Sequence, residues 1–329
     1  MPGDLLDRRL VVVTGKGGVG KSTVAAALGM AAARRGRRVV IAEVGRRGDV
    51  AATLDPGTGA HFGEALDAES HRFDERRLAV DGLDLWHVSV SPEAALHEYL
   101  RDQLPVGPLL DLLPANRLFT ALTAATPGMR EVLAMGKVWE LAQPQRRTRG
   151  AEPYDLCIMD APASGHATAI LGAPGQFART ARVGPIARQG TIISSTIEDP
   201  AQTAVIVVST AEELPVTEAG DLGDVLGDRG LPVALGVANG LLPDRFDDAD
   251  RAALTATTVV HPAIAAARHH AGRAAEQRRQ LARLRERIDA PVATLPLVPV
   301  RRLDAAAIGD LADRLAGQLS RPDDAEHAA

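Results

Sequence analysis

The stretch VVVTGKGGVGKSTVAAALG, residues 11–29, governs the reading of the whole chain. It passes from a β-branched apolar tract through a glycine-rich turn into an alanine-rich segment of high helix propensity. Inside it, Gly15-Lys16-Gly17-Gly18-Val19-Gly20-Lys21-Ser22 satisfies the pattern G-x-x-x-x-G-K-[ST] between a strand and a helix. Glycines at those places let backbone N–H groups curve around a phosphate, and the following helix adds the positive end of its dipole. Lys21 is a flexible point charge suited to β- and γ-phosphates, and the Ser22 hydroxyl suits Mg²⁺. The run Gly15, Gly17, Gly18, Val19, Gly20, Lys21, Ser22 and Thr23 is therefore expected to hold a nucleotide.

Lysine is scarce everywhere else. The 329 residues contain only Lys16, Lys21 and Lys137; every other basic side chain apart from histidine is arginine. Two of the three lysines thus fall in one loop, five positions apart.

Working outward, the apolar fraction of 46% supports a well-buried core, and with aromatics at 3% that core must be built from Ala, Val, Leu and Ile. A net charge of −5 gives no general electrostatic reason to expect nucleic acid as a partner. Cys157 is the single cysteine, which excludes an internal disulfide or a thiolate metal cage within one chain. The start, MPGDLLDRRL, carries acids and lacks the apolar stretch of a signal peptide. No apolar run reaches the roughly 18 residues of a membrane span. The expectation is a cytoplasmic protein with no membrane span, peripheral membrane association being left open.

Apolar, β-branched runs at 10–14, 39–44, 83–90, 156–160, 203–209, 233–238 and 292–297 read as strands. Most are continuously apolar, as strands covered on both faces are. Helical patterns at 21–35, 217–229, 262–288 and 303–319 separate them, so the fold class expected is α/β, a doubly wound and mostly parallel sheet of the P-loop NTPase type. Between about 91 and 153 no convincing strand occurs. SPEAALHEYLRDQL, LLDLLPANRLFTALTAA and GMREVLAMGKVWELAQ all read as helices, a helical subdomain inserted into a single domain spanning 1–319. PQRRTRGAEP, 144–153, reads as an exposed return loop, and 320–329 as a disordered tail.

Lys16 goes beyond the general motif. The run K-G-G-V-G-K-S resembles the deviant Walker A loop of the SIMIBI class of P-loop proteins. Further stretches narrow the resemblance to the arsenite-pump (anion-transporting) and tail-anchored-protein-targeting ATPases. DAPASGH, Asp160 to His166, is similar to that family's D-T-A-P-T-G-H, with the proline displaced by one position. VVSTAEELPVTEAGDL, GVANGLLP, LPLVPVRRLDAAAIGDL, VSPEAALHEYL and PGMREVLAMGKVWEL resemble further family segments, in family order, so the likeness runs from about residue 10 to 319.

The resemblance implies a dimeric, Mg²⁺-dependent ATPase binding ATP. It assigns Lys16 to the nucleotide of a facing subunit, Lys21 and Ser22 to phosphate and metal, and Asp160 to metal-bound water. His166 becomes a γ-phosphate sensor, Asn239 the reader of adenine, and Pro299 part of the loop flanking the base. Asp49 would orient the attacking water, although Glu43-Val44-Gly45-Arg46-Arg47-Gly48-Asp49 departs from the family's D-P-A-x-x-L-x-D and is one residue short. The alternative for Asp49 is a surface acid pairing with Arg46 or Arg47.

Other departures concern metal and client. Counting back from Gln277–Leu281, Ala267 and His270 stand where targeting members carry C-x-x-C, so their shared zinc is not expected. Soft arsenic(III) needs clustered thiolates, and Cys157 sits alone in a strand. The basic helix at 262–288 reads as a solvated face before a lipid or RNA surface. Expected partners are a second copy or a paralogous ATPase, plus an unnamed client or regulated protein. A weakly hydrolysing regulatory subunit and a Min/Par-type positioning ATPase stand as alternatives.

Overall fold

Leu10, Val11, Val12 and Val13 are all fully buried, which requires that their strand be covered on both faces. The computed structural model describes residues 5–45, 48–58, 73–80, 82–103, 128–148, 150–181 and 185–319; at 100–103, 164–167, 181 and 185–187 it describes the backbone alone. Its sheet comprises β1 (Leu10–Gly15), β2 (Val39–Val44), β3 (Arg76–Arg77), β4 (Leu85–Val90), β5 (Leu156–Asp160), β6 (Thr203–Thr210), β7 (Val233–Leu241) and β8 (Val292–Pro296). The eight strands lie in the order β3-β4-β2-β5-β1-β6-β7-β8. Every pairing is parallel except that of the two-residue β3 with β4. The chain builds outward on one side of β1, returns for β5, then crosses to β6. The carboxyl ends of β5, β1 and β6 therefore border a switch-point crevice.

Helices cover both faces. Val11, Val13, Val39 and Ile41 pack with α1 (Lys21–Arg34), α2 (Asp49–Leu54) and, through Ile308, Leu311 and Leu315, with the last helix, Ala305–Leu319. Leu10, Val12, Val40 and Ala42 point the other way, into a second cluster with Met135, Leu171, Ile193, Val216 and Leu284. α1 is rich in alanine because it is buried almost all round, and a Cβ on its Gly29 would already lie 2.8 Å from Ile41.

The predicted insert begins with α3 (Pro92–Gln103) and ends with α4 (Met129–Leu141); its middle lies outside the described residues, as does the tail. α4 lies on the sheet itself. Met135, Val138 and Trp139 are buried there, and the Trp139 indole donates to Thr196 Oγ1 at 3.0 Å. These side chains belong to the main core.

Lys137, the third lysine, is buried on α4 beside Glu98 and Glu140, each 3.1 Å away. Arg146 completes the cluster, donating to Glu75 at 2.6 Å and Glu140 at 2.7 Å, and Tyr154 donates to Glu75 at 2.8 Å. The return loop is thus not exposed throughout: among its described residues the Arg146 side chain is 1% exposed, a correction that charge patterning could not supply. Burial works against the Glu140 carboxylate, but Lys137 and Arg146 outweigh it and hold the group at about 2. Burial likewise opposes the Lys137 ammonium, and Glu98, Glu140 and Glu75 raise it above its ordinary value.

α5 (Ser164–Ala181) and α6 (Pro185–Glu198) were not legible as helices, since α5 contains Gly172, Pro174 and Gly175. The glycines permit close helix approach: a Cβ on Gly190 of α6 would lie 2.8 Å from the Pro174 carbonyl oxygen. Gly190→Ala is therefore expected to lower stability by about 1–3 kcal/mol through overpacking, despite a helix-propensity gain of about 1 kcal/mol. Urea unfolding of the two proteins measures it.

α7 (Glu213–Gly227) starts four residues before the predicted 217. Pro215 falls in its first turn, where a missing N–H costs no intrahelical bond. α8 (Asp248–Ala256) was also unread, while α9 (Pro262–Arg287) and α10 (Ala305–Leu319) fall near the expected bounds.

Candidate nucleotide site

The run expected to hold phosphate occupies the turn from β1 into α1. Gly15 has φ +144°, and a Cβ there would strike the Val208 carbonyl of β6. Gly20 has φ +92° and caps α1 from the left-handed region, which glycine alone adopts without strain. Lys21, 5% exposed, donates from Nζ to the Lys16 carbonyl at 2.8 Å, folding its side chain back over the loop. Ser22 Oγ donates to Asp160 Oδ2 at 2.6 Å. Asp160 ends β5 fully buried, so a hydroxyl and a carboxylate, both hard oxygen donors, meet beside the loop. That donor set fits Mg²⁺.

Lys16 projects to the other side, its Nζ 2.7 Å from Glu218 Oε1 on α7. Asn239 lies within β7, not after it, and its Nδ2 donates to the Val19 carbonyl at 2.9 Å. Gly15 to Thr23, Asp160 and Asn239 are thereby brought together. Asp49 opens α2 with an exposed side chain, and Pro299 is exposed in the loop between β8 and α10. His166 falls in the first turn of α5; its side chain lies outside the described set, as do Arg46 and Arg47.

Two residues behind Asp49 escaped the sequence reading. Glu43, fully buried on β2, accepts the Asp49 N–H at 2.9 Å and the Val50 N–H at 3.4 Å, and its Oε2 lies 3.1 Å from His87 Nε2. Burial opposes its charge, but the His87 contact and the two amides hold its carboxyl below the usual carboxylate range. The available signal was an acid within the apolar run VVIAEV, facing a histidine in LWHVSV.

The basic face of α9 is answered by the chain's own acids. Arg278 pairs with Asp244, Arg287 with Asp221 at 2.8 Å, and Arg273 with Glu212 at 3.6 Å. His270, at a predicted zinc-cysteine position, instead contacts the Pro243 carbonyl at 2.9 Å and the edge of the Phe246 ring. Among the described residues no group of three or more His, Cys, Asp or Glu is placed to hold a metal ion. Cys157 is fully buried, and burial pushes its thiol well up. No described helix is long and apolar enough to cross a membrane.

A family model for anion-transporting ATPases matches residues 8–184, from β1 through α5. The chain belongs to the anion-transporting ATPase family. The ATPase BagA of Mycobacterium tuberculosis is 30% identical over 255 residues, covering 76% of this chain and 70% of that protein. The arsenical pump-driving ATPase of Escherichia coli is 26% identical over 248 residues, covering 70% of this chain but 39% of its own length. Its counterpart in Acidiphilium multivorum is 25% identical over 249 residues with the same coverage, 70% and 39%. This anion-transporting ATPase family member therefore spans about two fifths of the pump-driving proteins it matches, and carries the family's ATP-binding P-loop on β1–α1.

Proposed function

We propose that the protein is a Mg²⁺-dependent ATPase that works as a dimer, using nucleotide-driven closure to regulate a partner or client. The observation that carries this reading is the joined set at β1, α1 and β5: Lys21 folded over the loop, and Ser22 on Asp160. In this reading Lys21 contacts the phosphates of its own nucleotide, while Ser22 and Asp160 hold the metal. Mg²⁺, when bound, supplies charge neutralisation across the phosphates. Lys16 reaches the nucleotide of a facing subunit, His166 senses the γ-phosphate, and Asn239 and the Pro299 loop receive adenine. Asp49 orients water, a task that depends on placement more than on basicity. With Cys157 buried and alone, arsenic(III) is not the expected cargo.

Single-turnover hydrolysis of Mg-ATP by the isolated protein tests the proposal. Asp49→Ala is expected to slow the step about 10²-fold, the scale of one lost positioning group, with ATP affinity kept. A second reading, a nucleotide-binding regulatory subunit with little hydrolysis, is favoured by the exposed Asp49 side chain and the altered first switch. Tight binding without turnover would select it.

A further inference from the structure

Asn239 was expected to read adenine, yet its amide is already committed to the loop that carries phosphate. Its Nδ2 donates to the Val19 carbonyl at 2.9 Å, and a Cβ on Gly20 would collide with that same nitrogen. Both contacts place the Asn239 Nδ2 against the Val19–Gly20 peptide. That peptide is planar and trans, so a carbonyl drawn toward Asn239 turns the Gly20 N–H to the opposite side. Gly20 is also the residue whose carbonyl accepts the Val24 N–H at 3.0 Å, at the start of α1.

The strand end bearing Asn239 is held in turn. Gln277 of α9, 7% exposed, accepts the Leu242 N–H at 2.7 Å and donates to the Gly240 carbonyl at 3.3 Å. Asn239 thus stands on a braced strand end, and the P-loop is fastened to it. An asparagine amide has two N–H donors and a carbonyl oxygen, so one donor on Val19 leaves the others for a base edge.

We propose that Asn239 is a positioning residue for the phosphate cradle: its bond to Val19 pre-orients the Gly20 N–H, coupling the base pocket to the loop that grips phosphate. The proposal deepens the ATPase reading and rests on it. It differs from a purely base-reading role in one respect, because it requires Asn239 to matter for a ligand that has no base.

Inorganic tripolyphosphate with Mg²⁺ is that ligand, and calorimetric titration of the full chain compares it with Mg-ATP. Asn239→Ala is expected to weaken both about tenfold, the scale of one buried hydrogen bond. Asn239→Asp, which keeps the shape but cannot donate, is expected to lose at least as much and serves if the alanine variant does not fold. Loss of ATP affinity with tripolyphosphate binding unchanged would overturn the proposal, as would wild-type protein that binds ATP but not tripolyphosphate. Wild-type protein binding neither ligand would overturn the nucleotide reading and this inference with it.

Discussion

Lys137→Met is expected to lower stability at pH 7 by about 3–5 kcal/mol, the cost of stranding buried charge. Methionine matches the lysine stem in volume, so the loss comes from Glu75, Glu98 and Glu140 being left with Arg146. The pH dependence separates this cause from a packing defect. In the wild type, Glu140 is held at about 2, below its ordinary 4.5, so its contribution is present above about 4.5 and lost as pH falls toward 2. Lys137 is shifted up, so its contribution is complete below its ordinary value and lost only as pH rises through the elevated one. In the variant these carboxylates keep Arg146 but lose the Lys137 charge, so the folded protein takes up protons at higher pH than the wild type does. The stability gap between the two proteins should therefore narrow as pH falls from about 4.5 toward 2, as read by urea midpoints. A constant gap would point to packing alone.

Lys16→Ala is expected to slow single-turnover hydrolysis about 10²–10³-fold, the scale of one preorganised electrostatic contact in a transition state. ATP affinity should change little, because Lys21 remains. Lys16 rests on Glu218 at 2.7 Å in the isolated chain, and both partners are about one third exposed, 32% and 36%. Solvent screening limits such a pair to roughly 0.2–1 kcal/mol. Glu218→Gln should therefore act in the opposite direction and modestly, raising ATP-dependent dimer formation about two- to fivefold. Sedimentation with a non-hydrolysable ATP analogue measures that arm. Lys16→Arg tests shape: a rigid guanidinium fork in place of a slim ammonium should not restore turnover. Intact closure and turnover in Lys16→Arg would refute the role in trans.

The central strands were legible because continuous apolar runs such as 10–14 and 203–209 leave no other interpretation between turn signals. α5 was not, because Gly172, Pro174 and Gly175 contradict local helix propensity and are tolerated only by close packing on α6 and Arg229. β3 has two residues, too few to carry a periodic pattern. At the site, the P-loop motif singled out Lys21 and Ser22 from spacing, and the fold places both at the start of α1. The partners of Lys16 and Asn239 were beyond reach, since Glu218 lies 202 residues from Lys16 and Val19 lies 220 from Asn239. The buried network was hidden for a related reason. Arg146 sits in a run that reads as solvated, and only the fold brings Glu75 to it.

The scarcity of lysine has a practical consequence for watching this molecule work. Lys137 is buried and Lys21 is nearly so, which leaves Lys16 as the one substantially accessible side-chain amine of the chain. An amine-reactive label read peptide by peptide in mass spectrometry, which separates Lys16 from the α-amino terminus, would then gauge this one side chain without an engineered tag. Its rate of incorporation would follow the Lys16 ammonium as it leaves Glu218 and, on closure, becomes shielded.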